Sequence, residues 1–137
     1  MAPAAKKLKK PGKTASFKEY IEYYLNKKGW SQSQLAEAAR LNQPYVNKLI
    51  NGKVRDVSVE TMMCICLALQ LTVPETKDLL SRVQRAFSPA LELHDFYQKL
   101  LAIYVFKDFT EMEERNVLVC ADDYLAKHGL PPLPQKQ

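Results

Sequence analysis

The sequence predicts an all-α protein, with a five-helix domain followed by a C-terminal pair of amphipathic helices. Apolar residues recur at intervals of three and four along seven segments, and the alternation typical of strands does not persist anywhere. The prolines fall at the ends and joints of these segments, so they separate helices rather than interrupt them.

The first five helices are predicted to begin after residues whose side-chain oxygen can cap a helix N-terminus. These residues are Ser16, Ser31, Asn42, Ser58 and Thr72. Three of them are followed three positions later by Glu or Gln, which completes a capping box. The apolar positions that follow predict helices over residues 17–28, 32–39, 43–51, 59–69 and 73–87. Gly29 and Gly52 mark two of the helix ends.

Three segments are predicted: a basic arm over 1–15 that is disordered when free, a domain over 16–87 and a helical extension over 88–137. The extension has amphipathic segments over 93–104 and 110–127. We expect them to close over the fifth helix or to pair with a second copy, and the sequence does not decide between these. The extension's acidic residues are expected to form a solvated face; they are Glu111, Glu113, Glu114, Asp122 and Asp123.

Positive charge is concentrated in the N-terminal part of the chain. Residues 1–15 hold five Lys and no acid, and residues 16–58 hold seven basic and four acidic residues, so these 58 residues carry +8 of a chain whose net charge is +5. Clustered cations gain free energy by releasing counterions from phosphates, which favours a polyanionic partner. A solubilising tail and a solvated surface are the alternative.

Other classes of site find little support. Cys64, Cys66 and Cys120 lack metal-ligand spacing, and the first two lie in an apolar run where buried core thiols are expected. His94 and His128 are expected at the surface, with no nucleophile spaced for catalysis. We therefore expect no cofactor, metal or small-molecule ligand. The apolar runs are too short for a membrane span, so a soluble, cytoplasmic protein is expected.

The helices at 32–39 and 43–51 resemble the helix-turn-helix of the phage repressor and Cro-like (XRE-type) family of bacterial DNA-binding proteins. The residues that carry this resemblance are Gln32, Leu35-Ala36, Leu41, Asn42-Gln43, Asn51-Gly52-Lys53 and Ser58-Val59-Glu60-Thr61. The resemblance covers about residues 16–80. It implies double-stranded DNA as the partner and residues 43–51 as the recognition helix.

Gln43, Asn47 and Lys48 have the chemistry to contact base edges, since Gln and Asn pair with adenine and Lys with guanine or phosphate. The full set of predicted DNA-binding residues is Gln32, Asn42, Gln43, Pro44, Tyr45, Asn47, Lys48, Lys53 and Arg55. By resemblance, Gln32 would hold a phosphate while Tyr45, Lys53 and Arg55 flank the groove. Alternatives remain for the flanking residues: Gln32 would only cap its own helix, Tyr45 would only pack, and Lys53 and Arg55 would be solvated charges. Asn51 is expected to be a C-terminal cap.

Two positions that often hold Gly in this family are Arg40, in the turn, and Gln70, after the fourth helix. A left-handed backbone at a non-Gly residue costs about 1 kcal/mol, so the turn is expected to differ in detail. Pro44 also replaces a residue that commonly donates a side-chain contact. One base position would then be read by shape or apolar contact.

The leading hypothesis is a sequence-specific DNA-binding regulator, with a possible homodimer through residues 88–137. The alternative is an antitoxin-like or adaptor protein whose C-terminal helices bind a protein partner. An enzyme is the third and least supported hypothesis.

Overall fold

The computed structural model describes residues 9–108 and 116–135, and these residues form helices without any strand. The helices are α1 (Phe17–Lys28), α2 (Gln32–Ala38), α3 (Gln43–Ile50), α4 (Val59–Ala68), α5 (Val73–Ser81), α6 (Glu92–Tyr104) and α7 (Val117–Lys127). The predicted all-α class is confirmed. No helix in this described part of the chain is long and apolar enough to cross a membrane.

Helix α4 lies at the centre of the molecule. Eight of its ten residues are buried, because it is apolar around nearly its whole circumference. Such a helix must be covered on every side. Here α2, α5, α6 and α7 cover it, and α6 also contacts α5. The C-terminal helices thus pack within the chain. We expected them to close over the fifth helix, but they pack mainly on α4.

The segment after α7 folds back onto the same core. Leu133 is buried, and its backbone N–H donates to Asp122 Oδ1 at 2.9 Å. The Cys64 thiol donates to the Pro134 carbonyl oxygen at 3.7 Å. Asp122 is therefore not part of a solvated face, which corrects the prediction for this residue. Asp123 is exposed, and Glu111, Glu113 and Glu114 lie outside the described residues.

Most predicted N-caps form. The Ser16, Ser31, Ser58 and Thr72 hydroxyls each accept the backbone N–H three residues later. Asn42 occupies the N-cap position of α3, but its side chain makes no capping hydrogen bond, contrary to expectation. Pro44 is the second residue of α3 and has no N–H, so one of the two groups that a cap would satisfy is missing.

Six helices end with a residue in the left-handed conformation: Gly29, Arg40, Gly52, Gln70, Gln84 and Gly129. In each case the next residue's N–H donates to a carbonyl five residues back, as in a Schellman motif. Arg40 (φ 56°) and Gln70 (φ 54°) thus adopt the left-handed backbone despite its cost at a non-Gly residue.

Helix α5 ends at Ser81, whereas the apolar spacing predicted a helix to Phe87. The chain reverses at Gln84 (φ 60°), and the Arg85 N–H donates to the Leu80 carbonyl oxygen at 2.9 Å. Arg85 Nε also donates to the Val57 carbonyl oxygen at 2.7 Å. This long-range bond holds the chain away from a helical course.

Helix α7 begins at Val117, after the extended residue Asn116, whose side chain caps it. The earlier start predicted for this helix, at residue 110, falls on residues 109–115, which lie outside the described residues.

His94 is buried, which corrects its predicted surface position. Its Nδ1 accepts the Ser88 N–H at 2.8 Å, and its ring stacks on Tyr97. Its Nε2 lies 3.6 Å from Glu60 Oε2. Ser88 lies before α6 and Glu60 lies on α4, so spacing along α6 could not reveal these two partners. His128 is exposed, as expected.

Part of the basic arm contacts the domain. The Tyr20 hydroxyl donates to the Pro11 and Gly12 carbonyl oxygens at 2.8 and 3.1 Å. Arg82 Nη1 donates to the Lys13 and Ala15 carbonyl oxygens. Residues 11–15 thus lie against Tyr20 of α1 and Arg82 at the end of α5. Residues 1–8 lie outside the described residues.

Because α7 shares a core with the N-terminal helices, Leu118→Ala should destabilise the whole chain. Leu118 is fully buried, and such truncations cost about 2–5 kcal/mol. Urea unfolding followed by the fluorescence of Trp30, which packs at the far end of α1, should shift to lower urea. Leu91→Ala, at a half-exposed residue, should shift stability by no more than about 0.5 kcal/mol. An unchanged Trp30 transition in Leu118→Ala would show that α7 unfolds independently.

The thiols should differ sharply in reactivity. Burial raises the pKa of Cys64 and of Cys66 to about 12, so both are protonated at pH 8 and inaccessible, while Cys120 is partly exposed. A thiol reagent should label one cysteine in the native protein and three after denaturation. Cys120→Ser should abolish native labelling, and rapid labelling that persists in this variant would contradict the buried positions.

Candidate nucleic-acid interface

The α2–α3 pair depends on the rest of the protein for its stability. These helices have seven and eight residues, and isolated helices shorter than about 12 residues are marginal in water. Leu35 and Val46 are fully buried, as is most of the Leu41 side chain in the turn between them. Helix α2 packs on α4 and α3, and α3 packs on α1. The pair is thus fixed from its inner side.

The outer side of the pair is polar and accessible. Seven of the nine predicted DNA-binding residues are exposed: Asn42, Gln43, Pro44, Asn47, Lys48, Lys53 and Arg55. Gln32 and Tyr45 are half-buried. Tyr45 packs against the core, and burial raises its pKa above the usual range, so its phenol is neutral at pH 7. The structure therefore brings the predicted residues onto one helix pair and the loop that follows it.

A chain of amides links the two helices. Asn47 Nδ2 donates to Gln32 Oε1 at 3.2 Å, which joins α3 to the first residue of α2. Asn51 Nδ2 donates to the Asn47 carbonyl oxygen at 2.9 Å and lies 3.4 Å from Asn47 Oδ1. Asn51 is the C-cap of α3, as expected. Ser31 caps α2 in a capping box with Gln34, so Gln32 is not the cap of its own helix.

An open cleft of about 570 Å³ lies beside the end of α3. Its lining includes Lys18 from the first turn of α1, Arg55 from the loop after α3, and Arg82 from the end of α5, and none of the described residues that line it is a carboxylate. Arg82 is engaged with Asp78 and the arm carbonyls. The hydrogen bonds with Asp78 raise the Arg82 pKa further, so this cation is permanently charged.

The sequence analysis did not single out Lys18. It is exposed in α1, far along the chain from the helix-turn-helix, and only tertiary packing brings it to the cleft beside Arg55. Nothing in the sequence around Lys18 indicates that it lines the same cleft as Arg55.

Within the residues that the structure describes, no group of three His, Cys, Asp or Glu side chains could hold a metal ion. The outer side of the α2–α3 pair presents amide and ammonium hydrogen-bond donors, and the cations Lys53 and Arg55 lie in the loop that follows it. Such groups suit recognition of base edges and phosphates.

Residues 21–84 match the family model described as the Cro/C1-type HTH DNA-binding domain. The match runs from within α1 to the turn after α5, so it includes the whole α2–α3 pair and all of α4. The resemblance noted from the sequence is thereby confirmed. No curated protein and no solved structure gives a significant match to the chain.

The capping of α2 can be tested with two neighbouring serines. Ser31→Ala removes the acceptor of the Gln34 N–H, which lies 3.2 Å from Ser31 Oγ, and should destabilise the protein by about 1 kcal/mol. Ser33→Ala, at an exposed position within α2, should be neutral or slightly stabilising because Ala has the higher helix propensity. Urea unfolding measures both, and equal effects would contradict the capping box.

Proposed function

We propose that this protein binds double-stranded DNA in a sequence-specific manner and regulates transcription, with α3 as its recognition helix. The observation that carries this proposal is the exposed row of Gln43, Asn47 and Lys48 on a helix whose other side is locked into the core. A major groove about 12 Å wide admits such a helix. The family of residues 21–84 supplies the DNA-binding class.

Gln43 and Lys48 are the residues that we assign to base reading. Gln43 is the first residue of α3, and the N-terminal part of a recognition helix is the part that reaches base edges. Asn47 already bonds Gln32 and contacts Asn51, so we assign it an organising role in place of direct reading. Pro44 offers an apolar contact that suits a thymine methyl group.

Contacts with the DNA backbone are assigned to the residues around α3. Gln32 keeps its Nε2 group for a phosphate while its Oε1 accepts from Asn47. Lys53 and Arg55 are exposed in the loop after α3, and Lys18 lines the same cleft as Arg55. Asn42 and Tyr45, at the start of α3, complete the set.

The experiment is selection of bound fragments from random double-stranded DNA at fixed salt, followed by variants tested on the selected site. Gln43→Ala should weaken binding to that site by about 1–3 kcal/mol, which is about 5- to 150-fold in Kd. Lys48→Ala should also lower the affinity and, if Lys48 touches phosphate, reduce the salt slope by about 1. Lys127→Ala, which removes an exposed charge from α7, should change neither quantity appreciably.

The outcomes separate the hypotheses. A selected site whose affinity drops in Gln43→Ala supports the assignment of α3. Failure to select any sequence, together with a stable heterocomplex through residues 88–137, would replace it with the adaptor function. A palindromic site with half-sites about 34 Å apart would further show that two copies bind.

A further inference from the structure

Two of the left-handed turn residues fasten the C-terminal helices to the DNA-binding helices. Arg40 Nη1 donates to Asp122 Oδ2 on α7 at 2.7 Å. Gln70 Nε2 donates to the Tyr104 and Lys107 carbonyl oxygens at the end of α6, at 2.8 and 2.6 Å. Glycine adopts this backbone conformation without strain. What a long polar residue adds at these turns is its side chain, and both side chains reach the extension.

The Arg40 contact lies in the turn that leads into α3. Arg40 follows the C-cap of α2, and the next residue, Leu41, is buried and bonds back to the Ala36 carbonyl oxygen at 2.9 Å. Helix α3 begins two residues later. A change in the backbone at Arg40 therefore rotates α3 relative to α2, and with it every side chain on the outer side of α3.

The ion pair with Asp122 compensates the free-energy cost of burying the Arg40 guanidinium. The two side chains are 17% and 18% exposed. Arg40 Nε and Nη2 are buried and have no hydrogen-bond partner among residues 9–108 and 116–135. Among the residues that the structure describes, Asp122 is the one carboxylate paired with this largely buried cation, and such a cation is sensitive to the position of its partner.

The same carboxylate is itself held in place. Its second oxygen, Oδ1, accepts the Leu133 N–H at 2.9 Å, and Leu133 is buried against the core. One side chain on α7 thus joins the turn before α3 to the segment that follows α7.

We propose that Arg40 and Asp122 are positioning residues for DNA recognition, through which the C-terminal helices fix the angle at which α3 leaves its turn. This inference rests on the proposed function, because it concerns the accuracy of base reading by α3. Contacts that discriminate between bases tolerate displacements of only about 0.5 Å, so a loosened turn should affect selective binding first.

The test compares variants that change the net charge in opposite directions. Asp122→Asn removes a negative charge, and Arg40→Gly removes a positive one. By general electrostatics, Asp122→Asn should raise the affinity for any DNA and Arg40→Gly should lower it. The positioning role predicts instead that both variants lower the specificity ratio, defined as the affinity for the selected site divided by that for an unrelated duplex of equal length.

We expect the ratio to fall by at least about fivefold in each variant, the lower end of typical coupling between sites. The double variant should lose about as much as either single variant, since both remove the same interaction. A reduced folded fraction lowers both affinities alike, so a merely structural role leaves the ratio unchanged. Asp123→Asn makes the same charge change at the next, exposed position and should keep the wild-type ratio.

Both substitutions are chosen to preserve the fold. Asn at position 122 can still accept the Leu133 N–H through its oxygen, and Gly at position 40 suits the left-handed turn. Melting curves establish that each variant is folded at the assay temperature, and if Asp122→Asn is not, the ratio of Arg40→Gly decides. A folded variant with the wild-type ratio overturns the inference. A wild-type chain that selects no sequence refutes the proposed function instead.

Discussion

The requirement that α4 be covered on every side organises this protein. A helix with the sequence VETMMCICLA has almost no polar face to leave in water. Helix α2 covers part of it, and α5 another part. What remains is covered by α6 and α7, so the extension completes a core that α2 and α5 leave open.

This arrangement explains how such short helices can present side chains rigidly. Neither α2 nor α3 has enough internal hydrogen bonds to be stable alone, and their order comes from Leu35, Val46 and their neighbours in the common core. Val46, Leu49 and Ile50 of α3 are buried, so its outer positions are available to Gln43 and Lys48. Burial of the inner side of α3 thus both holds the helix rigidly and leaves its outer side chains accessible.

The turns after the helices share a left-handed residue, but the side chains at these residues differ in what they contact. Gly29, Gly52 and Gly129 satisfy the left-handed requirement without a side chain. Arg40 and Gln70 accept a backbone cost of about 1 kcal/mol, and in this structure their side chains bond to α7 and α6. In each of these two turns one residue both follows a helix of the N-terminal domain and attaches the extension to it.

What the sequence determined by itself is local. The capping serines, the glycine stops and the amphipathic pattern of α3 all depend on residues within one helical turn of each other, so spacing alone predicted them. The tertiary structure alone decided the burial of His94, the early end of α5 near Arg85, and the pairing of Asp122 with Arg40. These features join residues that are up to 82 positions apart, and such proximity arises only when the helices pack around α4.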